Sequence, residues 1–133
     1  MKSLGVYIHI PFCVQKCVYC DFLSSAATIE RQKEYIIALK REMKTEAQKY
    51  KDFEVNTVFF GGGTPSILEA DDIKVCLDIL KGYYTISENA EITMEMNPGT
   101  ATNDKFIELK NAGINRLSIG LQSANNKELR LLG

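Results

Sequence analysis

The sequence predicts an α/β fold in which parallel β/α units form roughly the first half of a TIM-type barrel. Three observations carry that expectation. Short β-branched and aromatic runs alternate with longer segments whose apolar residues recur every three or four positions. The resulting order, β-α-β-α-β-α-β-α, implies a parallel sheet with right-handed crossovers. Polar residues also collect at the C-terminal ends of the expected strands, where such barrels keep their chemistry.

The elements follow in order. "VYIHI" (6–10) is β-branched and aromatic, hence a strand. From Glu30 to Tyr50, apolar Ile36, Leu39, Met43, Ala47 and Tyr50 step by three and four, hence a helix with a solvated charged face. "TVFFG" (57–61) is the second strand. Ile73 to Tyr83 is the second helix, with Asp71 or Asp72 near its start. "EITMEMN" (91–97) is the third strand. Thr102 to Ala112 is the third helix, ended by Gly113 as a left-handed cap. "RLSIGL" (116–121) is the fourth strand. Asn125 with Glu128 has capping-box spacing and opens a fourth helix. That helix has barely begun at Gly133, and four strands alone leave an uncovered edge. Residues 1–133 are therefore expected to be the N-terminal part of a longer barrel domain.

Composition narrows the function. The 133 residues suit one modest domain, and 45% hydrophobic content is ordinary for a globular core. Sixteen basic and 17 acidic residues leave a net charge of −1, which argues against a nucleic-acid surface. No apolar run reaches membrane-spanning length. Lys2, "LGVYIHIPF" and "SSAA" loosely mimic a secretion signal. However, His9 and Pro11 break the run and a cysteine cluster intervenes, so a cytoplasmic protein is expected.

Three of the four cysteines, Cys13, Cys17 and Cys20, fall in "PFCVQKCVYCDF" with C-x3-C-x2-C spacing. Crowding in one loop after a strand favours metal or redox chemistry over disulfides. A structural zinc site is one reading, with His9 or Cys76 completing three thiolates. An iron–sulfur cluster with one iron open to an external ligand is the other. Cys76 lies on the helical run Ile73, Cys76, Leu77, Leu80, which suits a buried, inert thiol.

Alternation sorts the strand faces. Tyr7 and His9 oppose Ile8 and Ile10; Thr93, Glu95 and Asn97 oppose Ile92, Met94 and Met96; Ser118, Gly120 and Gln122 oppose Leu117, Ile119 and Leu121. The polar sets would look into the barrel, with Glu95, Asn97 and Gln122 at strand ends. "GGGTP" (61–65) is a tight turn whose successive glycines also let a ligand approach backbone amides. It is not a Walker loop, since no Gly-Lys-Ser/Thr follows. His9, beside Pro11, reads as a packed, hydrogen-bonded residue. Tyr19 reads as packing or as a lid.

Together these blocks resemble the radical S-adenosylmethionine (SAM) superfamily: C-x3-C-x2-C after the first strand is its signature, and "GGGTP" resembles its glycine-rich element. "YIHIPFC", "FFGGGTPS", "MEMNPGT" and "GINRLSIGLQS" look more specifically like the oxygen-independent coproporphyrinogen III oxidase-like family and its haem-chaperone branch. The resemblance implies that Cys13, Cys17 and Cys20 ligate a [4Fe–4S] cluster whose fourth iron takes SAM. It implies SAM contacts from Tyr7, Tyr19, Gly62, Gly63, Thr64, Glu95 and Gln122, with Glu95 at the ribose. It further implies an electron donor to the cluster, reductive SAM cleavage to methionine and a 5′-deoxyadenosyl radical, and haem passed to an acceptor protein. The oxidases carry an extra cysteine two residues after the third; here that position is Phe22. This favours the chaperone branch over a coproporphyrinogen III dehydrogenase that removes two propionate carboxyls. A zinc-stabilised structural domain is the non-enzymatic alternative.

Overall fold

A computed structural model describes residues 1–12, 29–63, 65, 68–96 and 102–119. The elements are β1 (Lys2–Ile10), α1 (Ile29–Glu46), a 3-10 turn (Ala47–Tyr50), β2 (Phe53–Gly62), α2 (Ala70–Tyr83), β3 (Thr85–Met96), α3 (Asn103–Ala112) and β4 (Arg116–Ile119). The four strands form one parallel sheet in the order β1-β2-β3-β4. Each strand thus lies beside its successor across a helical connection, as a barrel-type β/α repeat requires.

One face of the sheet is covered. Ile8 and Ile10, Val58 and Phe60, and Ile92, Met94 and Met96 are buried there. They form a single core with Ile36 and Met43 of α1, Ile73, Cys76, Leu77 and Leu80 of α2, and Leu109 of α3. The three- and four-residue spacing in the helices and the two-residue spacing in the strands produce that match.

The helices are tied to one another by polar contacts. Lys33 Nζ lies 2.8 and 3.0 Å from the two Asp72 carboxylate oxygens, linking α1 to α2. Tyr84 donates its hydroxyl to the Met43 carbonyl at 2.8 Å, holding the base of α1. Asn115 imitates a strand neighbour: its Oδ1 accepts from the Ile92 N–H at 2.8 Å and its Nδ2 donates to the Ala90 carbonyl at 2.9 Å.

Several boundaries differ from the sequence expectation. α1 ends at Glu46 and tightens into the 3-10 turn, instead of continuing to Tyr50. β1, β2 and β3 begin earlier than expected, at Lys2, Phe53 and Thr85, because these N-terminal segments pair with one another; Lys2 sits opposite Phe53, and Glu54 opposite Thr85. α2 starts at Ala70 without a side-chain cap, and Asp72 turns to Lys33 instead. Thr102 is the N-cap of α3, not its first residue, and its hydroxyl accepts the Lys105 N–H. Gly113 closes α3 at φ +121°, as expected of a left-handed cap. The expected fourth helix, the Asn97 end of β3 and the Gly120–Leu121 end of β4 lie outside the described residues.

Candidate cofactor site at the sheet rim

The second face of the sheet carries no described helix, and its side chains differ in kind. Register sets Tyr7 beside Phe59 and then Thr93, and sets His9 beside Gly61. Glu95 stands opposite Ser118. The expected alternation is therefore observed in β1 and in the described part of β3, with the polar and aromatic residues on the face away from the helices, while Ile119 of β4, expected on the covered face, is exposed.

At the C-terminal rim these residues converge on the glycine turn. Gly62 has φ +115°, a conformation that side chains rarely adopt. Its N–H donates to Glu95 Oε1 at 3.1 Å across the sheet. A Cβ on Gly61 would lie 2.6 Å from that same carboxylate oxygen and 2.8 Å from ring carbons of Tyr7 and Phe59. A Cβ on Gly62 would lie 2.6 Å from the Ile10 carbonyl and 2.8 Å from the His9 ring. The two glycines therefore let Tyr7, His9 and Glu95 close around one bare stretch of backbone.

Tyr7 stacks on Phe59 with centroids 6.0 Å apart and planes 15° apart. Its hydroxyl is 3.1 Å from His9 Nδ1. Tyr7 nevertheless remains 58% exposed as a residue. Burial, and then the negative charge of Glu95, push the Tyr7 hydroxyl above its ordinary pKa. It therefore stays a neutral donor and acceptor through the physiological range. Below Glu95, Thr93 is only 1% exposed, and its hydroxyl has no hydrogen-bond partner among the described residues.

The strand preceding the cysteines ends at this rim. Ile10 pairs with Gly62, and the Gly63 N–H donates to the Ile10 carbonyl at 2.8 Å. Phe12 follows, buried. Cys13, Cys17, Cys20 and Tyr19, together with Thr64 and Gln122, lie outside the described residues. Of the expected site residues, Tyr7, Gly62 and Glu95 come together, with Gly63 hydrogen-bonded alongside. Cys76 is on the opposite, helix-covered side, fully buried, with its thiol pushed up to about 11 by burial and then by Asp72. His9 is exposed on the open face, so Cys76 and His9 lie on opposite faces of the sheet.

This donor set fits a small polar ligand with an aromatic or ribosyl part. It offers an exposed tyrosine, a carboxylate acceptor and a bare glycine cradle, all beside the start of a three-thiol segment. Phe59 and Tyr35 were not among the expected site residues. The alternation that places Tyr7 could have found Phe59, since Phe59 shares its face with Gly61. Tyr35 carries no such signal; its role depends on where α1 docks.

The family description "radical SAM superfamily" matches residues 7–133 of this chain. A protein of Escherichia coli (strain K12) named heme chaperone HemW is 44% identical, over 100% of this chain and 35% of its own length. A heme chaperone HemW of Haemophilus influenzae is 42% identical, over 100% of this chain and 36% of its own. The chain thus spans about a third of the length of these curated relatives. Among solved structures, the coproporphyrinogen III oxidase HemN from Escherichia coli, titled a radical SAM enzyme, superposes with a TM-score of 0.82. It shows 30% identity, over 98% of this chain and 30% of that one.

Proposed function

Since this chain belongs to the radical SAM superfamily, we propose that Cys13, Cys17 and Cys20 hold a [4Fe–4S] cluster and that SAM binds beside it on the open rim. Residues 1–133 then form the N-terminal part of a radical SAM core domain. We further propose a haem chaperone of the cytoplasm, which delivers haem to an acceptor protein and draws electrons from a separate donor. The observation that carries the SAM reading is the joint closure of Tyr7, Glu95 and the Gly61–Gly62 backbone beside the exit of β1.

When bound, the cluster supplies one-electron reduction of the SAM sulfonium. The chain's own residues bind and orient. Glu95, positioned by the Gly62 N–H through Oε1, accepts hydrogen bonds from ligand hydroxyls. Tyr7 offers a ring face for stacking. Gly63, with Thr64 beside it, supports backbone contacts to the amino-acid portion, and Tyr19 and Gln122 complete the SAM contacts.

The chaperone reading draws support from the HemW names of the relatives and from Phe22, which stands where the oxidases carry a further cysteine. The similarity to the HemN structure supports a second reading, oxidation of coproporphyrinogen. Two assays on anaerobically reconstituted protein separate them: haem transfer to an apo-acceptor, and product formation from coproporphyrinogen. Haem transfer without product is expected. Product without transfer overturns the chaperone reading. One zinc per chain and no sulfide would replace both with a structural metal site.

A further inference from the structure

The cysteine segment leaves the described chain after Phe12 and returns at Ile29, the first residue of α1. The relative placement of those two ends sets where the segment can reach. Tyr35, near the end of the second turn of α1, touches the outgoing end twice. Its hydroxyl donates to the His9 carbonyl. Its ring meets Phe12 edge-on, with centroids 5.4 Å apart and planes at 81°.

The choice of His9 follows from strand geometry. Ile10 turns its carbonyl toward β2, where the Gly63 N–H meets it. Main-chain groups alternate along a strand, so the His9 carbonyl points to the free edge of β1. No strand pairs there in the described sheet, and the Tyr35 hydroxyl satisfies that acceptor instead. The His9 side chain, in turn, lies within hydrogen-bond distance of Tyr7 and against Gly62. One hydroxyl on a helix thus fixes the residue around which the rim is arranged.

We propose that Tyr35 is a positioning residue that latches the exit of β1 to α1, and so holds both ends of the cysteine segment and the Tyr7–His9 pair in register with the glycine turn. Tyr35 acts through His9 and Phe12 and touches no ligand. The effect on SAM rests on the reading proposed above; the latch itself does not. Burial, followed by Glu42, raises the Tyr35 pKa and keeps the hydroxyl a donor.

A matched control bonds to the same helix from the C-cap of α2. Tyr84 makes the same kind of bond, hydroxyl to the Met43 carbonyl, at the opposite end of α1. A purely structural role predicts the same behaviour from Tyr35→Phe and Tyr84→Phe. The latch predicts a difference. In Tyr35→Phe the amides of Ile8 and Ile10, which face β2, should exchange roughly tenfold faster, the loss expected of one hydrogen bond. SAM affinity of the reconstituted protein should fall by about the same factor. The reduced cluster's electron paramagnetic resonance signal should lose its response to SAM at concentrations that perturb wild type. Tyr84→Phe should leave all three readouts unchanged while lowering the thermal midpoint similarly. Equal behaviour of the two variants in all readouts overturns the latch. If wild type itself shows no SAM response, the SAM reading falls, and amide exchange alone decides the latch.

Discussion

Phe59 and Phe60 are neighbours in β2, yet they belong to different problems. Phe60 is fully buried against the helices, in a core of aliphatic side chains. Phe59 lies half-buried on the other face, stacked with Tyr7 beside Glu95 and two glycines. The covered face is apolar and locally redundant, because many side chains share the work of excluding water. The open face is sparse and polar, and its groups meet in single contacts, Tyr7 with His9 and Glu95 with the Gly62 N–H. On the function proposed above, stability and ligand recognition fall on opposite sides of one strand.

The largest effect expected bears on metal. Cys13→Ala, Cys17→Ala and Cys20→Ala should each abolish the cluster. Cys76→Ser should keep it, since Cys76 belongs to the covered face. Iron and sulfide counts after anaerobic reconstitution measure this, and loss of the cluster in a folded Cys76→Ser variant would break the division between faces.

Next in size is the pair of phenylalanines. Phe60→Ala should destabilise the chain by about 3–5 kcal/mol, the usual cost of emptying a packed aromatic site. Phe59→Ala should cost well under half of that and should weaken SAM binding instead. Urea unfolding midpoints with matched slopes test this; equal costs for the two would mean the open face is structural.

A hundredfold effect is expected in thiol chemistry. The Cys76 thiol has its pKa pushed up to about 11 from an ordinary value of 9.0. The reactive thiolate at pH 8 is therefore about a hundredfold scarcer than in the unfolded chain. Iodoacetamide labelling, read by peptide mass, should be slowed at least to that extent in the native protein. The raised pKa also has a sign for stability. Folding favours the neutral thiol, so its contribution is intact below pH 9 and is lost as the pH rises toward 11. Fast labelling at pH 8 would remove Cys76 from the core.

The smallest effect sharpens the open face. Glu95→Ala should leave the cluster in place and weaken SAM binding roughly ten- to a hundredfold, for one charge-assisted hydrogen bond of about 1.5–3 kcal/mol. Calorimetry measures it. Unchanged affinity would reduce Glu95 to a brace for the Gly62 N–H.

Much of this architecture was legible in the sequence, for reasons that differ by face. Ile8 and Ile10, or Met94 and Met96, alternate cleanly because burial on one side selects apolar residues at every second position. The rim residues Tyr7 and Glu95 could be read by the same alternation. The polar stretch from Thr85 to Ala90 could not. "TISENA" has weak strand character, and its first residues enter the sheet by pairing with Glu54 and Val55. The Tyr35–His9 bond spans a distance no local pattern encodes, and Asp72 resembled a helix cap until Lys33 arrived from another helix.

The parallel register also bears on how the chain assembles. Pairing Lys2 with Phe53 closes a loop of roughly 50 residues, while pairing Thr93 with Arg116 closes one of roughly 23. Loop entropy grows only with the logarithm of length, so the longer closure costs about 0.7 kcal/mol more. That difference is smaller than one buried methylene, about 0.8 kcal/mol. Topological distance therefore does not decide which pairing nucleates. The β1–β2 ladder runs from Lys2–Phe53 to Ile10–Gly62, and Ile36 and Met43 of α1 join Ile8, Ile10, Val58 and Phe60 in the core beside it. Nucleation in the β1–α1–β2 unit is therefore expected, and it would show as higher φ-values for substitutions at Ile8 and Val58 than at Leu117.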